Sequence, residues 1–280
     1  MIFNQKRSFP AFVTVLLSLF SLGAVGAQWS STELHLQYGN LQKAFQGGDG
    51  GAETGGTTIL TLQHASGWKY GDNFFFIDHL NYGRTDLEKL AGIEPTDELY
   101  GEWYSNFSLG KMTGKEWSFG PVSDVGLIAG FNFAQEVDTL FYLPGVRFSL
   151  KLPGFAFANV DVTGYFQDGP DKFGVDADDD GFMVDFNWAF PFKLGETLWS
   201  LEGHVEYIGG ADLTIDGFDV GAERESWILA QPQLRLDVGH LLFGTKDQLF
   251  AGVEYQYWSN KLGDKDTDES MAQALLVWRF

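Results

Sequence analysis

The sequence has no cysteine, so no disulfide can stabilise the folded chain. After the N-terminus it also lacks any apolar run of the roughly 20 residues that a membrane-spanning helix needs. Basic residues are scarce: 18 Lys and Arg stand against 38 Asp and Glu, for a formal net charge of -20. So acidic a chain is not suited to bind nucleic acid. These absences argue against a disulfide-stapled domain, a bundle of membrane-spanning helices and a nucleic-acid-binding protein.

The first 27 residues have the pattern of a secretory signal peptide. Lys6 and Arg7 precede an apolar run from Ala11 to Val25, and small residues lead up to Ala27. We predict Sec export, cleavage near Ala27 and a mature domain of residues 28–280. Cleavage removes two basic residues and no acidic ones, so the net charge moves from -20 to -22. The alternative is an N-terminal membrane anchor, for which the apolar run is short.

Aromatic residues and glycine are abundant, with 26 Phe, 9 Trp and 35 Gly. An exported chain of this composition, without disulfides or spanning helices, fits two classes of protein. One is an outer-membrane β-barrel, in which a closed hydrogen-bonded sheet satisfies the backbone. The other is a secreted β-sandwich. The pattern of alternation along the chain distinguishes between them.

The last eleven residues, from Ser270 to Phe280, alternate with a period of two. Trp278 and Phe280 belong to an apolar face, whereas Gln273 and Arg279 belong to a wetter one. A strand that ends the chain on an aromatic residue is typical of outer-membrane barrels, because the last strand closes the barrel. We predict that it pairs with the first strand and that its polar face borders a pore.

Twelve segments share this alternation. The connections between them are alternately short turns and longer acidic loops. An even number of strands of about ten residues is the pattern of a bacterial transmembrane barrel, with periplasmic turns and extracellular loops. A sandwich would also show alternating apolar and polar residues, but not this regular exchange of short turns and long loops. The fold class is therefore predicted to be all-β, a transmembrane antiparallel β-barrel. The segments run from about Ser31 to Tyr38, Thr57 to Ser66, Asn73 to Tyr82, Glu98 to Leu109, Val122 to Ala134, Phe141 to Lys151, Ala156 to Gln167, Phe182 to Phe190, Thr197 to Ile208, Ser226 to Val238, Leu249 to Ser259 and Ser270 to Phe280.

Three details of this scheme need the structure. In the third segment Asp78 shares a face with Phe74 and Phe76, so the inner face is ambiguous. Pro232 removes a ladder donor within the tenth segment and predicts a bulge or a break. Aromatic residues near the strand ends predict interfacial girdles, and they include Trp68, Tyr70, Phe155, Phe190, Phe192, Trp199, Trp258 and Trp278.

The segment from Tyr104 to Phe133 carries a more specific pattern. A strand ends in an aromatic and Ser run, a short basic turn follows, and Trp117-Ser118-Phe119-Gly120-Pro121 opens the next strand. This segment resembles the Tsx-like nucleoside-specific channel family and its phage-receptor relatives. The resemblance implies a narrow, monomeric outer-membrane channel, surrounded by lipid and lipopolysaccharide, that passes nucleosides by facilitated diffusion. At the positions after the motif that are charged and aromatic in the family, this chain has Val122, Ser123 and Asp124, so the family's binding residues are not transferred one by one.

A pore that favours nucleosides or similar small solutes should combine aromatic faces with hydrogen-bonding and ionisable groups. The predicted inner faces supply both kinds of side chain. In a small barrel, however, charged lumen residues can instead pair with one another as a polar core. The candidate solute-lining residues are Glu102, Tyr104, Asn106, Arg147, Lys151, Asp161, Tyr165, Asp185, Glu202, His204, Glu206, Arg235 and Asp237.

The sequence predicts no enzyme, metal or cofactor. The five histidines include no adjacent pair at metal-ligand spacing, and no nucleotide-binding motif is present. A twelve-stranded outer-membrane lipase would need a His and a Ser together on the lipid-facing surface, and only His64 is predicted there. The other alternative is a surface receptor or structural barrel, of the kind that phages or colicins use, with a plugged lumen.

Overall fold

The computed structural model describes residues 27–44, 52–53, 56–84, 89–90, 96–177 and 181–280. The predicted signal peptide, apart from Ala27, and parts of three predicted loops lie outside the described residues. Within these ranges no helix is both long and apolar enough to cross a membrane.

Twelve antiparallel strands close into a barrel in which each strand pairs with its neighbours in the sequence. The last strand pairs with the first, with Leu34 opposite Trp278, so the predicted closure is confirmed. We call the end that carries Trp29 and Arg279 the turn end, and the opposite end the loop end. The strands are Trp29–Gly39 (β1), Thr57–Trp68 (β2), Gly71–Tyr82 (β3), Thr96–Ser108 (β4), Val122–Ala134 (β5), Thr139–Tyr142 with Gly145–Leu150 (β6), Phe157–Gln167 (β7), Gly181–Leu194 (β8), Thr197–Ile208 (β9), Trp227–Ala230 with Gln233–Asp237 (β10), Leu249–Ser259 (β11) and Glu269–Arg279 (β12).

Two strands are interrupted by proline. The predicted break at Pro232 is confirmed, and Pro144 breaks β6 in the same way because proline has no N–H to donate. At the break, β10 keeps backbone hydrogen bonds to both neighbouring strands. Gln231 N donates to His204 O on β9, and Tyr255 N on β11 donates to Pro232 O. Gly203 faces this bulge with a φ of 143°. A Cβ there would collide with the carbonyl oxygen of Gln231, so the close approach requires glycine.

Side chains alternate between the lumen and the outer surface. On β1, His35 is buried inside the barrel, whereas Leu36 on the other face is exposed. The structure resolves the ambiguous strand β3: Asp78 lies inside the barrel, while Phe75 lies on the outer face between the rings of His64 and Trp103. The period-two pattern therefore separates two environments along the whole barrel.

Aromatic residues on the outer face cluster at the turn end. Phe190, Phe192 and Trp199 stack in a row, and Trp68 meets Tyr70 edge-on. The prediction was wrong for Trp258, whose side chain points into the lumen and belongs to a buried cluster there. It follows Glu254 and Gln256 on the same face of β11, because only every second residue of a strand can face lipid.

Two turn-end connections contain short helices, Leu109–Thr113 (α1) and Val238–Phe243 (α2). The side chain of Ser108 caps α1 and that of Asp237 caps α2. At the loop end, Val175–Ala177, Ala211–Ile215 and Phe218–Arg224 form a small antiparallel sheet outside the barrel ladder. This sheet places Arg224 at the mouth of the lumen.

Candidate functional site

The structure places most of the predicted solute-lining residues in the lumen. Lys151 is the exception, because it follows the last residue of β6 and is exposed at the turn end. Asp237 is buried, but its carboxylate accepts hydrogen bonds from the backbone of His240 and Asp247 and so holds a turn. The remaining residues form several groups along the barrel axis.

Arg147 is the centre of one buried group. Its Nε and Nη2 donate to the two carboxylate oxygens of Asp161, at 2.8 and 2.6 Å, and its Nη1 donates to Asp72 at 2.9 Å. Asn106 donates to Asp72 and thereby connects β4 to the group. Because Asp72 lies on β3 and Arg147 on β6, this contact crosses the lumen. The predicted alternative, a paired polar core, holds for these residues.

Glu33 is the centre of a second group at the turn end. Its carboxylate accepts from Arg235 Nη1 at 3.1 Å, from Arg279 Nε at 2.6 Å, and lies 2.8 Å from Nε2 of His35. Arg235 also approaches Glu202 at 3.1 Å. The group therefore joins β1, β9, β10 and β12 across the closing seam. A cavity of about 560 Å³, in the size range of small-molecule sites, adjoins it at the turn end and is lined in part by Glu33, Glu202 and Arg279.

Glutamine side chains surround a third carboxylate, that of Glu254. It accepts from Gln37 at 2.6 Å, from Gln233 at 2.5 Å and from Gln273 at 3.0 Å. Gln273 is fully buried, which confirms that the polar face of the closing strand borders the lumen. The hydrogen bonds from these amides to Glu254 link four neighbouring strands.

Asp185, His204 and Glu206 form a fourth group on β8 and β9. Nδ1 of His204 lies 3.4 Å from Oδ1 of Asp185 and 4.0 Å from Oε2 of Glu206. On the other side of the ring, Nε2 lies 2.9 Å from Oε1 of Gln231. This group brings together an imidazole and two carboxylates, which is the donor set of many metal sites.

The loop end of the lumen is aromatic. Tyr165 stacks on Phe141 with ring centroids 4.4 Å apart and meets Trp227 edge-on at 6.0 Å. The guanidinium of Arg224 lies over all three rings, 5.3 to 6.0 Å from their centroids. We call Phe141, Tyr165 and Trp227 the aromatic box. Nε and Nη2 of Arg224 are buried there, and no described residue forms a hydrogen bond with either atom.

Tyr104 lies in the same buried cluster as the aromatic box and donates its hydroxyl to Asn132 at 3.1 Å. Beside it Glu102 accepts from the hydroxyl of Tyr100 at 2.5 Å. Both predicted residues therefore face the pathway between the aromatic box and the middle of the barrel. Along the lumen from the loop end, aromatic surfaces thus come first and charged groups follow.

Sequence reasoning missed several lumen residues. Alternation places Glu33 and Arg279 on inner faces, but neither is among the predicted solute-lining residues, and nothing in the sequence shows that they share one ion pair. Trp227 lies on the inner face of a strand that looked polar inside. Arg224 belongs to a loop whose path no local pattern predicts. The Trp117–Pro121 motif lies at the turn end between α1 and β5, outside the lumen groups.

His64 has a polar partner on the outer face. Its Nδ1 lies 2.8 Å from Oγ1 of Thr32, and its ring stacks on Phe75. The partner is thus a threonine in a neighbouring strand, and the pair satisfies the imidazole on the lipid-facing surface. The hydroxyl beside His64 is thus that of a threonine and not that of a serine.

Known proteins resemble this chain over most of its length. Residues 32–277 match the family described as nucleoside-specific channel-forming protein, Tsx. Outer membrane protein OmpK of Vibrio parahaemolyticus serotype O3:K6 (strain RIMD 2210633) is 25% identical over 179 residues, which cover 59% of this chain and 65% of that protein. The match thus spans less than two thirds of that relative.

Solved structures of similar shape include the KdgM porin, with a TM-score of 0.45 and 8% identity over 89% of this chain and 99% of that chain. The KdgM porin in complex with disordered oligogalacturonate gives a TM-score of 0.46 and 9% identity over the same shares. The family match covers nearly the whole barrel, and it is a family of channels and not of enzymes. The chain belongs to the Tsx family of outer-membrane channel proteins.

Proposed function

We propose that this protein is a monomeric channel that passes nucleosides or similar small, neutral solutes by facilitated diffusion. In this proposal the chain reaches the outer membrane after cleavage near Ala27, and lipid and lipopolysaccharide surround its apolar outer face. The acidic loops lie outside the cell and the short turns lie in the periplasm.

The aromatic box around Arg224 carries this proposal. A guanidinium is planar and stacks on aromatic faces, and that of Arg224 lies against all three rings of the aromatic box. A nucleobase is also planar and can stack on the exposed faces of these rings when Arg224 moves aside. The two unpaired donors of Arg224 would then be free to meet the carbonyl or ring-nitrogen acceptors of the base. The carboxylates and amides farther along the lumen offer partners for the sugar hydroxyls.

Liposome swelling tests the proposal directly. Liposomes that contain the folded protein should swell faster in nucleosides than in sugars of equal size. Arg224→Ala should reduce this preference, whereas Lys265→Ala, at an exposed position in another loop, should preserve it. Equal rates for nucleosides and sugars would refute nucleoside selectivity.

A second candidate function is a surface receptor or structural barrel with a closed lumen. The observation in its favour is the buried cluster at the loop end, where Tyr104, Tyr165 and Trp258 pack with Leu143 and Met183 inside the barrel. In that case the liposomes would swell with neither class of solute. The same assay therefore separates the two functions.

A further inference from the structure

Asp185 on β8 and His204 and Glu206 on β9 stand together in the lumen. Asp185 lies directly opposite Glu206 in the ladder, so two carboxylates that repel each other when both are charged stand side by side. One ligand atom from each of the three residues lies within 4.8 Å of the other two. We propose that this triad binds a divalent transition-metal ion of the Zn²⁺ type.

The distances are close to those of a bound metal. Zn²⁺ binds imidazole nitrogen and carboxylate oxygen at about 2.0–2.2 Å, so two ligand atoms at a tetrahedral angle lie about 3.4 Å apart. Oδ1 of Asp185 and Nδ1 of His204 are 3.4 Å apart, and Oε2 of Glu206 is 4.0 Å from the same nitrogen. Oε2 of Glu206 would have to move closer to the other two ligand atoms, from which it lies at most 4.8 Å, to complete three ligands. One nitrogen and two oxygens suit Zn²⁺ better than Mg²⁺ or Ca²⁺, which prefer oxygen alone.

The hydrogen bonds of Gln231 orient the imidazole for this role. The Gln231 Nε2 donates to Gln256 Oε1 at 3.1 Å and to Glu254 Oε1 at 3.4 Å, which fixes the amide oxygen on the side of His204. That oxygen accepts a hydrogen bond from Nε2 of His204 at 2.9 Å. In the neutral ring the lone pair is then on Nδ1, which faces the two carboxylates. Metal-binding histidines characteristically use their second nitrogen in this way.

Asp185 supplies an independent indication of a missing ligand. Asp185 is 8% exposed as a whole residue and 12% exposed at its side chain, and among the described residues its Oδ1 has no hydrogen-bond partner, whereas Oδ2 accepts from Asn187 at 2.6 Å. Buried acceptors of this kind are normally satisfied. Oδ1 is the atom that points at His204, so a metal ion in the triad would satisfy it. The His204 side chain is 23% exposed, which leaves an approach from the lumen.

Equilibrium dialysis of the folded protein against Zn²⁺ at pH 7 tests the site without reference to solute flux. We expect one bound ion per chain. His204→Ala and Asp185→Asn should each weaken binding at least tenfold, and Gln231→Leu, which removes only the orienting contact, about tenfold. His79→Ala is the matched control, because His79 also lies near a carboxylate, Asp97, but is exposed.

Unchanged binding in His204→Ala, an equal loss in His79→Ala, or no saturable binding by the wild type would each overturn the proposal. If the triad variants do not fold, Co²⁺ titration of the wild type decides. A visible absorption band that Zn²⁺ abolishes and excess Mg²⁺ does not would support a nitrogen and oxygen site. A spectrum of hydrated Co²⁺ alone would refute it.

Discussion

Tyr165 and Trp227 meet edge-on with ring centroids 6.0 Å apart, although two strands of the barrel separate β7 from β10. Their contact reaches across the loop end of the lumen, and Arg224 lies against both rings. The diameter of a twelve-stranded barrel is thus reduced by side chains rather than by backbone. On the proposed function, a solute that enters here passes along these aromatic faces.

Replacing Tyr165 with Ala should widen this constriction and weaken discrimination. We expect higher single-channel conductance and a ratio of nucleoside to sugar flux that falls toward one, because the stacking surface is lost. Tyr104→Ala should act in the same direction. The control is Tyr207→Ala, which removes a tyrosine from the outer face of β9. If the two lumen variants conduct like the control, these tyrosines do not line the pathway.

Replacing Arg147 with Met should strongly destabilise the barrel. The change leaves Asp161 and Asp72 without their cation, and breaking a buried ion pair costs about 3–5 kcal/mol. Urea unfolding in detergent, followed by loss of the heat-modifiable band, measures the effect. Lys151→Met is the matched control, because Lys151 is also a basic residue and directly follows the strand of Arg147, but it is exposed. A similar loss in both variants would mean that net charge, and not the buried contacts, is responsible.

Much of the barrel could be predicted from alternation alone. The environment on the two sides of each strand differs sharply, so the period of two marks Glu33, His35 and Gln37 as inner residues without any knowledge of their partners. The break at Pro232 is equally predictable, because the missing N–H is a property of the residue. Both predictions use only residues that are close together in the sequence. They succeed because each strand of the barrel pairs with the strands next to it in the sequence.

Contacts across the lumen could not be predicted in the same way. Arg147 reaches Asp72 from three strands away, and Arg224 enters the aromatic box from a loop. These contacts depend on the curvature of the closed sheet and on the path of a loop, which periodicity does not encode. For the triad that we propose as a metal site, the sequence does contain one indication, because His204 and Glu206 are two residues apart and so lie on the same face of a strand. Only the ladder register adds Asp185.

Gly203 is predicted to be intolerant of any side chain. Its φ of 143° and the carbonyl oxygen of Gln231 both oppose a Cβ, so Gly203→Ala should cost about 1–3 kcal/mol and weaken the pairing of β9 with β10. Gly169→Ala is the comparison, because Gly169 also has a positive φ, of 73°, but no described atom lies within 4 Å of its Cβ position. Urea unfolding should show a larger loss for Gly203→Ala. Equal losses would assign the effect to backbone strain alone.

Lys261 should make stability depend on pH at the loop end. It lies between β11 and β12, where its Nζ donates to Gln42 O at 2.6 Å and to Glu269 at 3.0 Å. Burial lowers the pKa of Lys261 below its ordinary value of 10.5, and the attraction of Glu269 only partly opposes this. Between the lowered pKa and 10.5 the unfolded chain holds a proton that the folded chain has released, so stability due to this group rises with pH in that window.

Removing Lys261 should remove that rise. We expect the free energy of unfolding of the wild type to increase relative to Lys261→Met as the pH approaches 10.5, as measured by urea titration at several pH values. Lys265→Met, in the same loop but exposed, should run parallel to the wild type. A wild-type curve that stays parallel to Lys261→Met would mean that Lys261 keeps its ordinary pKa because its two partners offset its burial. The barrel mouth would then contain a permanently charged lysine, held between β12 and the first loop.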